Sequence, residues 1–399
     1  MTAIDQSDDV SSLSTGVTAA AGFRAAGTAA GIKPSGDPDM ALLVADTSVP
    51  TVAVFTRSLA AAPPVELDRR RLSTGTARAV IVNSGCANAA TGAAGMADAE
   101  ATTAAVAEAL GCDVDEVLVC STGVIGTRLP MEVILAAIPG LVDDLDTHPA
   151  AGEAAAHGIM TTDSVPKQAV AEGDGWVIGG MSKGAGMIRP DMATMLAFLT
   201  TDAMLDAAAM QPILTEAVAT TFNCLNIDGC QSTNDTVILM ASGASGVTPD
   251  PGLFAEALTA VCADLAMQMA IDAEGASKVV TIEVSGAASR DDARRLGMQV
   301  ADSALVRSAF HGSDPNWGRI LGALGVAGVP IDQADVEIRI AGTTVCSGGV
   351  AADFDEGLVS RAMAEAFEVE VVVGAGPGAA TVVTTDLTPD YVHFNSDRS

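Results

Sequence analysis

Short β-branched runs alternate with alanine-rich stretches along the chain, and that alternation limits the fold more than any other feature. β-Branched residues suit a pleated, half-buried surface, whereas alanine-rich segments of ten residues or more favour helix. Residues 52–55, 79–82 and 117–120 read as buried strands, each ending in Gly, Asn, Ser or Thr. Between them, 96–110 has helical composition, with Asp98 in its first turn and Gly111 just past its end. A second helix, 131–141, is opened by Pro130. Strands at 176–178 and 192–199 follow. After Asp202 come a helix at 207–222, a strand at 237–240, a long helix at 253–271, a strand at 278–284 and helices at 291–300 and 304–310. The closing third is strand-rich, at 336–340, 343–346, 369–373 and 380–385, the last two flanking a glycine-rich turn from Gly374. The pattern is that of an α/β or α+β layer protein.

At 399 residues, two domains or one large layered unit are expected. A hydrophobic fraction of 49% and a mean hydropathy of +0.37 exclude a disordered chain, and 40 glycines without a three-residue period exclude collagen. The net charge of -30 repels phosphate backbones and acidic membrane surfaces, so neither nucleic acid nor membrane is an expected partner. Arg69 to Arg71, the only basic cluster, reads as part of a surface helix. Seven cysteines without a C-x-x-C spacing suggest neither a disulfide framework nor a zinc site, and Cys224 and Cys230 read as core residues. The first residues are acidic and polar, unlike a secretory signal, and the longest uncharged run, 79–97, is broken by Asn, Ser, Thr and Gly. A cytoplasmic location is expected.

Histidine, the usual near-neutral acid and base, is scarce. His148, His157, His311 and His393 form no metal pair and flank no G-x-S-x-G elbow. The glycine-rich stretches at 179–186 and 374–378 lack the signatures of phosphate-binding loops. What stands out is 180–198, where the rare Lys183 sits among glycines and the chain runs through Pro190 to Ala193 and Thr194. A threonine hydroxyl needs a base beside it to be a nucleophile. Attack of the Thr194 hydroxyl on the Ala193 carbonyl, an N-to-O acyl shift and hydrolysis would free the Thr194 α-amine, whose ordinary pKa of about 7.7–8.0 suits that task. From the letters alone, the other reading is a plain strand threonine.

At these residues the chain resembles the ornithine acetyltransferases (glutamate N-acetyltransferases) of arginine biosynthesis. Their signature K-G-x-G-M-[IL]-x-P-x-[ML]-A-T-M-L is met from Lys183 to Leu196. Further motifs agree in order: Asn83-Ser-Gly-Cys-Ala-Asn-Ala-Ala-Thr-Gly92, Ser121-Thr-Gly-Val-Ile-Gly126, Met160-Thr-Thr-Asp163, Ser232-Thr-Asn-Asp-Thr236, Asp272-Ala-Glu-Gly275 and Gly312-Ser-Asp-Pro-Asn-Trp-Gly-Arg319. The resemblance spans nearly the whole chain.

It implies an α/β fold, an α+β layered sandwich of the N-terminal-nucleophile type shared with related aminopeptidases. It also implies self-cleavage between Ala193 and Thr194 into an α chain, 1–193, and a β chain, 194–399, sharing one folded unit and assembling as an α2β2 heterotetramer. Thr194, with its α-amine as base, would take acetyl from N-acetylornithine and pass it to glutamate in a ping-pong cycle. No cofactor or metal is implied, and some members also accept acetyl-CoA as co-substrate. Thr122 and Gly123 match the family's oxyanion hole, and Thr161, Lys183, Thr194, Glu274 and Asn395 its substrate contacts. Ser399 falls one residue short of the family's last tail contact. The motif at 314–319 reads as a packing and loop-shaping element near the site. The alternatives are a self-processing aminopeptidase or amidohydrolase of related fold and an uncleaved amino-acid-binding protein.

Overall fold

The computed structural model describes residues 16–189 and 195–396. Its strands are β1 (Phe23–Thr28), β2 (Met40–Phe55), β3 (Thr76–Cys86), β4 (Val117–Val124), β5 (Lys167–Glu172), β6 (Val177–Lys183), β7 (Leu196–Thr201), β8 (Leu225–Asn226), β9 (Thr236–Ala241), β10 (Val279–Ala287), β11 (Glu337–Ile340), β12 (Thr343–Ser347), β13 (Val350–Ala351), β14 (Phe367–Val372) and β15 (Gly378–Thr385). Its helices are α1 (Pro63–Arg71), α2 (Gly92–Leu110), α3 (Met131–Asp143), α4 (Pro149–Gly158), α5 (Ala207–Thr220), α6 (Pro251–Ile271), α7 (Arg290–Asp302), α8 (Ala304–His311), α9 (Trp317–Leu324), α10 (Glu356–Ala362) and α11 (Pro389–Ser396).

The first sheet runs β4-β3-β2-β9-β7-β6-β5, with β1 also paired to β2. β2 turns a corner. Its first half pairs with β1 and β3, its register slips between Val44 and Val49, and its last residues pair with β9. Such a slip bends a strand and raises its twist. The sheet therefore folds back on itself. Successive β2 residues point to opposite faces, so Ala41, Leu43 and Ala45 enter a cluster shared with Met181, Phe198, Ile238 and Met240 from the other half, whereas Met40, Leu42 and Val44 face outward. Helices α2 and α3 cover that outer face, and α5 and α6 cover the outer face of the β5–β9 half. Helix, sheet, sheet, helix is the layered sandwich expected from the resemblance. Phe198, fully buried between the sheets, contributes about 2–3 kcal/mol by burial alone.

The second sheet, β13-β12-β11-β14-β10-β15-β8, carries its own apolar core against α7, α8 and α9. The glycine-rich segment after β14 joins no hairpin, because β14 and β15 lie on opposite sides of β10. The expected helices at 96–110, 131–141 and 253–271 are present, α2 ending at Gly111 with φ 63° and α6 opened by Asp250, whose carboxylate accepts from Gly252 and Leu253. α6 is the one described helix long and apolar enough to cross a membrane, but Phe254, Leu258, Val261 and Leu265 bury its inner face in the core.

The basic cluster is placed differently from the expectation. Arg69 to Arg71 do close a helix, with Arg69 and Arg70 at the surface and Arg70 paired with Glu100, but Arg71 turns inward. Arg71 is buried and donates to the Val117 carbonyl at 2.5 Å, and Arg69 lies over the Phe55 ring and donates to the Thr56 carbonyl. The run ties α1 to two strands because guanidinium donors suit the unpaired carbonyls there.

Candidate active site

The site is assembled by strand register. Antiparallel β6 and β7 pair Lys183 with Leu196, and parallel β7 and β9 pair Leu196 with Thr236. One row across the sheet thus holds Lys183, the residues leading into Leu196, and Asp235 just before Thr236. Met195 donates its backbone N–H to Asp235 Oδ1 at 2.9 Å. Thr194, Ala193 and the rest of 190–194 lie outside the described residues, as does Ser399, but Thr194 is one peptide bond from this contact.

Around that row, charge is buried. Lys167 is fully buried and bridges Asp163 and Asp272, both at 2.6 Å. Asp163 also accepts the Gly184 N–H at 2.7 Å and the Thr161 N–H at 2.9 Å. One carboxylate therefore fixes Thr161 beside the residue that follows Lys183. Burial alone would raise the Asp163 carboxyl, yet Lys167 and Lys183 outweigh it and hold it below the usual range. Burial pulls the Lys183 ammonium below its usual value, against the carboxylates of Asp163, Asp235 and Glu274. Burial also pushes the Asp235 carboxyl up to about 7, opposed by the Met195 N–H and the Lys183 charge. Asp235 Oδ2 is buried with no hydrogen-bond partner among the described residues. The Ser232 and Thr56 hydroxyls are near it, but the Thr56 hydroxyl donates to the Ser232 carbonyl at 3.0 Å.

Thr122 and Gly123 end β4, where β3 bulges opposite them. Gly123 has φ +123°, and a Cβ there would lie 2.6 Å from the Cys86 nitrogen on β3, so only glycine fits. This end is tied to the Asp235 row by Asn234, whose amide donates to the Ala87 and Ser121 carbonyls at 2.7 and 2.9 Å. On the other flank, Glu274 follows α6, and its N–H donates to the Ala185 carbonyl at 2.8 Å. Gly186 makes that approach possible, since a Cβ there would sit 2.5 Å from the Glu274 carboxyl carbon. Asn395 on α11 donates to Glu274 Oε2 at 3.1 Å.

Thr161, Lys183, Glu274 and Asn395 thus converge, and Thr122 and Gly123 join them through Asn234. The 314–319 motif shapes a loop in the second core, with Arg319 donating to the Leu305 carbonyl. Cys224 is buried as expected, whereas Cys230 is exposed. Sequence reasoning assigned no role to Asp163, Lys167, Asn234 or Asp235. Three of these lay in quoted motifs, Asp163 in Met160-Thr-Thr-Asp163 and Asn234 and Asp235 in Ser232-Thr-Asn-Asp-Thr236, the signal that could have found them.

A hydroxyl and an N–H at a strand end can stabilise an oxyanion, and a buried ammonium beside carboxylates can orient a zwitterionic amino acid; these are the needs of an acyl-transferring enzyme. The family model described as the ArgJ family matches residues 24–399. Arginine biosynthesis bifunctional protein ArgJ of Thermobifida fusca is 48% identical over 384 residues, covering 96% of this chain and 99% of its own. Its namesake in Mycobacterium leprae is 49% identical over 395 residues, covering 96% of each. The chain belongs to the ArgJ family, and is an acyltransferase of arginine biosynthesis. Among solved structures, the ornithine acetyltransferase of Mycobacterium tuberculosis complexed with ornithine is similar at 50% identity, covering 44% of this chain and 95% of that one, with a TM-score of 0.43.

Proposed function

We propose that the chain cuts itself between Ala193 and Thr194 and then moves the acetyl group of N2-acetyl-L-ornithine to L-glutamate through an acetyl-Thr194 ester. The observation that supports this reading is the strand register, which sets Leu196 beside the buried Lys183 and Met195 against the buried Asp235. The freed Thr194 α-amine takes the hydroxyl proton as Oγ bonds to the acetyl carbon. Thr122 Oγ and the Gly123 N–H face the developing oxyanion. The bond from carbon to the ornithine nitrogen then breaks, and the amine returns the proton to that nitrogen. Glutamate reverses the sequence and leaves as N-acetylglutamate. Lys183 receives the α-carboxylate common to both substrates, with Thr161 beside it, while Glu274 and Asn395 meet an ammonium group. The cycle needs no cofactor; acetyl-CoA would enter as an alternative acetyl donor to the same hydroxyl. In this reading the two fragments stay interleaved, since β7 and β9 from after the cut lie between β2 and β6 from before it. They assemble as an α2β2 heterotetramer in the cytoplasm.

A denaturing gel of the purified protein tests the first step. Two fragments of about half mass are expected, the second beginning at Thr194, and Thr194→Ala should leave one intact band. A wild type that stays whole would overturn the reading. Supplying N-acetylornithine with and without glutamate tests the second step, because release of acetate at the same rate in both would instead mark a hydrolase.

A further inference from the structure

Two of the four lysines, Lys167 and Lys183, are fully buried, and the proposed cycle uses only Lys183. Lys167 opens β5 opposite Ser182, the residue before Lys183 on β6. Its ammonium has three hydrogens, and three acceptors take them: Asp163 Oδ1 and Asp272 Oδ2 at 2.6 Å each, and the Val165 carbonyl at 3.4 Å. No hydrogen is left for a ligand. A buried ion trio does little more for stability than offset the cost of taking its charges out of water, and apolar side chains of the same volume often do as well. Its use here lies in what the two carboxylates hold. Asp163 accepts the Thr161 N–H and the Gly184 N–H, and Gly184 has φ 148°, so the chain turns at that contact directly after Lys183 in a conformation suited to glycine. Asp272 closes α6 and accepts the N–H of Ser164 at 2.9 Å as well as its hydroxyl. Two residues on, Glu274 donates its N–H to the Ala185 carbonyl at 2.8 Å.

We infer that Lys167 is a positioning residue for substrate binding: by clamping Asp163 to Asp272 it fixes Thr161, Lys183 and Glu274 relative to one another. This rests on the reading of those three residues as substrate contacts. They come from separate parts of the fold, the segment before β5, the end of β6 and the segment after α6. The contacts close a ring, from Lys167 through Asp163, Gly184, Ala185, Glu274 and Asp272 back to Lys167. One arm of the ring sets Thr161 and Lys183, which serve the substrate carboxylate. The other sets Glu274, which serves an ammonium group. The clamp also balances charge. The two carboxylate oxygens on the ammonium lie no farther apart than the two bonds together reach, so without Lys167 they repel each other. Asp163 already feels the Lys183 charge, and losing its own partner would draw Lys183 toward it and away from the substrate carboxylate.

Initial-rate kinetics of Lys167→Met, which keeps an unbranched stem and loses the charge, test this on the full enzyme. Both substrates present the same α-carboxylate, so KM for N-acetylornithine and KM for glutamate should rise by a similar factor, about 10–100-fold, while kcat changes far less. Asp272→Asn keeps oxygen and nitrogen where Ser164 and Lys167 meet them but removes one charge of the clamp, and should move both KM values the same way by less. A lysine that merely held the fold together would change the amount of active enzyme, lowering kcat with both KM values unchanged. That result, or a rise in KM confined to one substrate, overturns the inference. If a thermal melt shows that Lys167→Met does not fold, Asp272→Asn decides alone by the same split. Lys183→Ala tests the underlying reading separately: if it leaves both KM values unchanged, the assignment of substrate contacts falls, whatever Lys167 does.

Discussion

Two buried aspartates, one in each sheet's territory, are treated in opposite ways. Asp386 follows β15 of the second sheet, and its side chain is fully covered. The Ser277 N–H and hydroxyl, the Lys278 N–H and His311 all reach it, at 2.5 to 3.0 Å. Burial alone would raise its pKa, but these partners outweigh burial and hold it below the usual range. Asp235, in the first sheet, is pushed up to about 7 by burial, which outweighs the Met195 N–H, the Lys183 charge and the nearby Ser232 and Thr56 hydroxyls. A carboxylate that only needs to hold the fold together has its hydrogen bonds completed locally. The carboxylate that receives the Met195 N–H has an oxygen without a partner among the described residues, and burial there costs stability.

The contrast can be broken most severely at Asp386. Asp386→Ala removes a fully covered carboxylate and the acceptor for Ser277, Lys278 and His311, and should cost about 3–5 kcal/mol in urea unfolding at pH 7. Because its folded pKa is depressed, that stabilisation is present above the usual carboxylate range and disappears as pH falls through the folded value, so wild type and variant should converge in acid. Equal stability at pH 7 would show that the network is ornamental. On the site side, Thr122→Ala should lower kcat by about 10²–10³-fold with little change in melting temperature, which steady-state kinetics and a thermal melt would separate.

Asp235→Asn sharpens the comparison by its sign. In the uncut Thr194→Ala background, the unfolded carboxyl releases its proton near 3.8 and the folded one near 7. The folded state therefore holds more protons between those values, and wild-type stability falls as pH rises from about 4 to about 7. The variant should gain about 2–4 kcal/mol over its parent at pH 8 and nothing at pH 4. A variant less stable than its parent at pH 8 would place Asp235 with Asp386. The smallest effect is expected at Asn395→Ala. Its bond to Glu274 is exposed, so KM should rise by about 2–10-fold with kcat nearly unchanged.

Much of the site was legible because its residues sit in short, contiguous motifs. Lys183 stood out as one of four lysines lodged among glycines, and Thr122 and Gly123 ended a run of β-branched residues. Glu274 was marked by its place after the long helix that ends at Ile271. The ion pair of Asp163 with Lys167 could not be read the same way, although Asp163 closes a quoted motif. An aspartate and a lysine four apart look like an ordinary exposed pair in a chain with 50 acidic residues, and only the arrival of Asp272 from 105 positions away makes the trio a buried network. Arg71 was misplaced for the same reason, because the carbonyl it meets belongs to Val117 on β4. The glycines after β14 signalled a turn correctly, yet nothing local said that β10 would lie between the strands they join.

The sequence by itself determined many of the strands and helices, the layered α/β class, the motifs of the family and the identity of the groups able to do chemistry, but it left β1, the first half of β2, α4, β5 and α9 to α11 unread. Those properties follow from local preference and side-chain type, which act within a few residues. The tertiary structure alone decided that β2 bends to face one half of its sheet against the other, that Lys183, Leu196 and Thr236 share a row with Met195 bonded to Asp235 beside it, and that Asp235 and Asp386 are buried among different partners. Desolvation and hydrogen-bond satisfaction depend on what packs around a group from distant parts of the chain, so a carboxylate's letter is the same in both places and its chemistry is set by its neighbours.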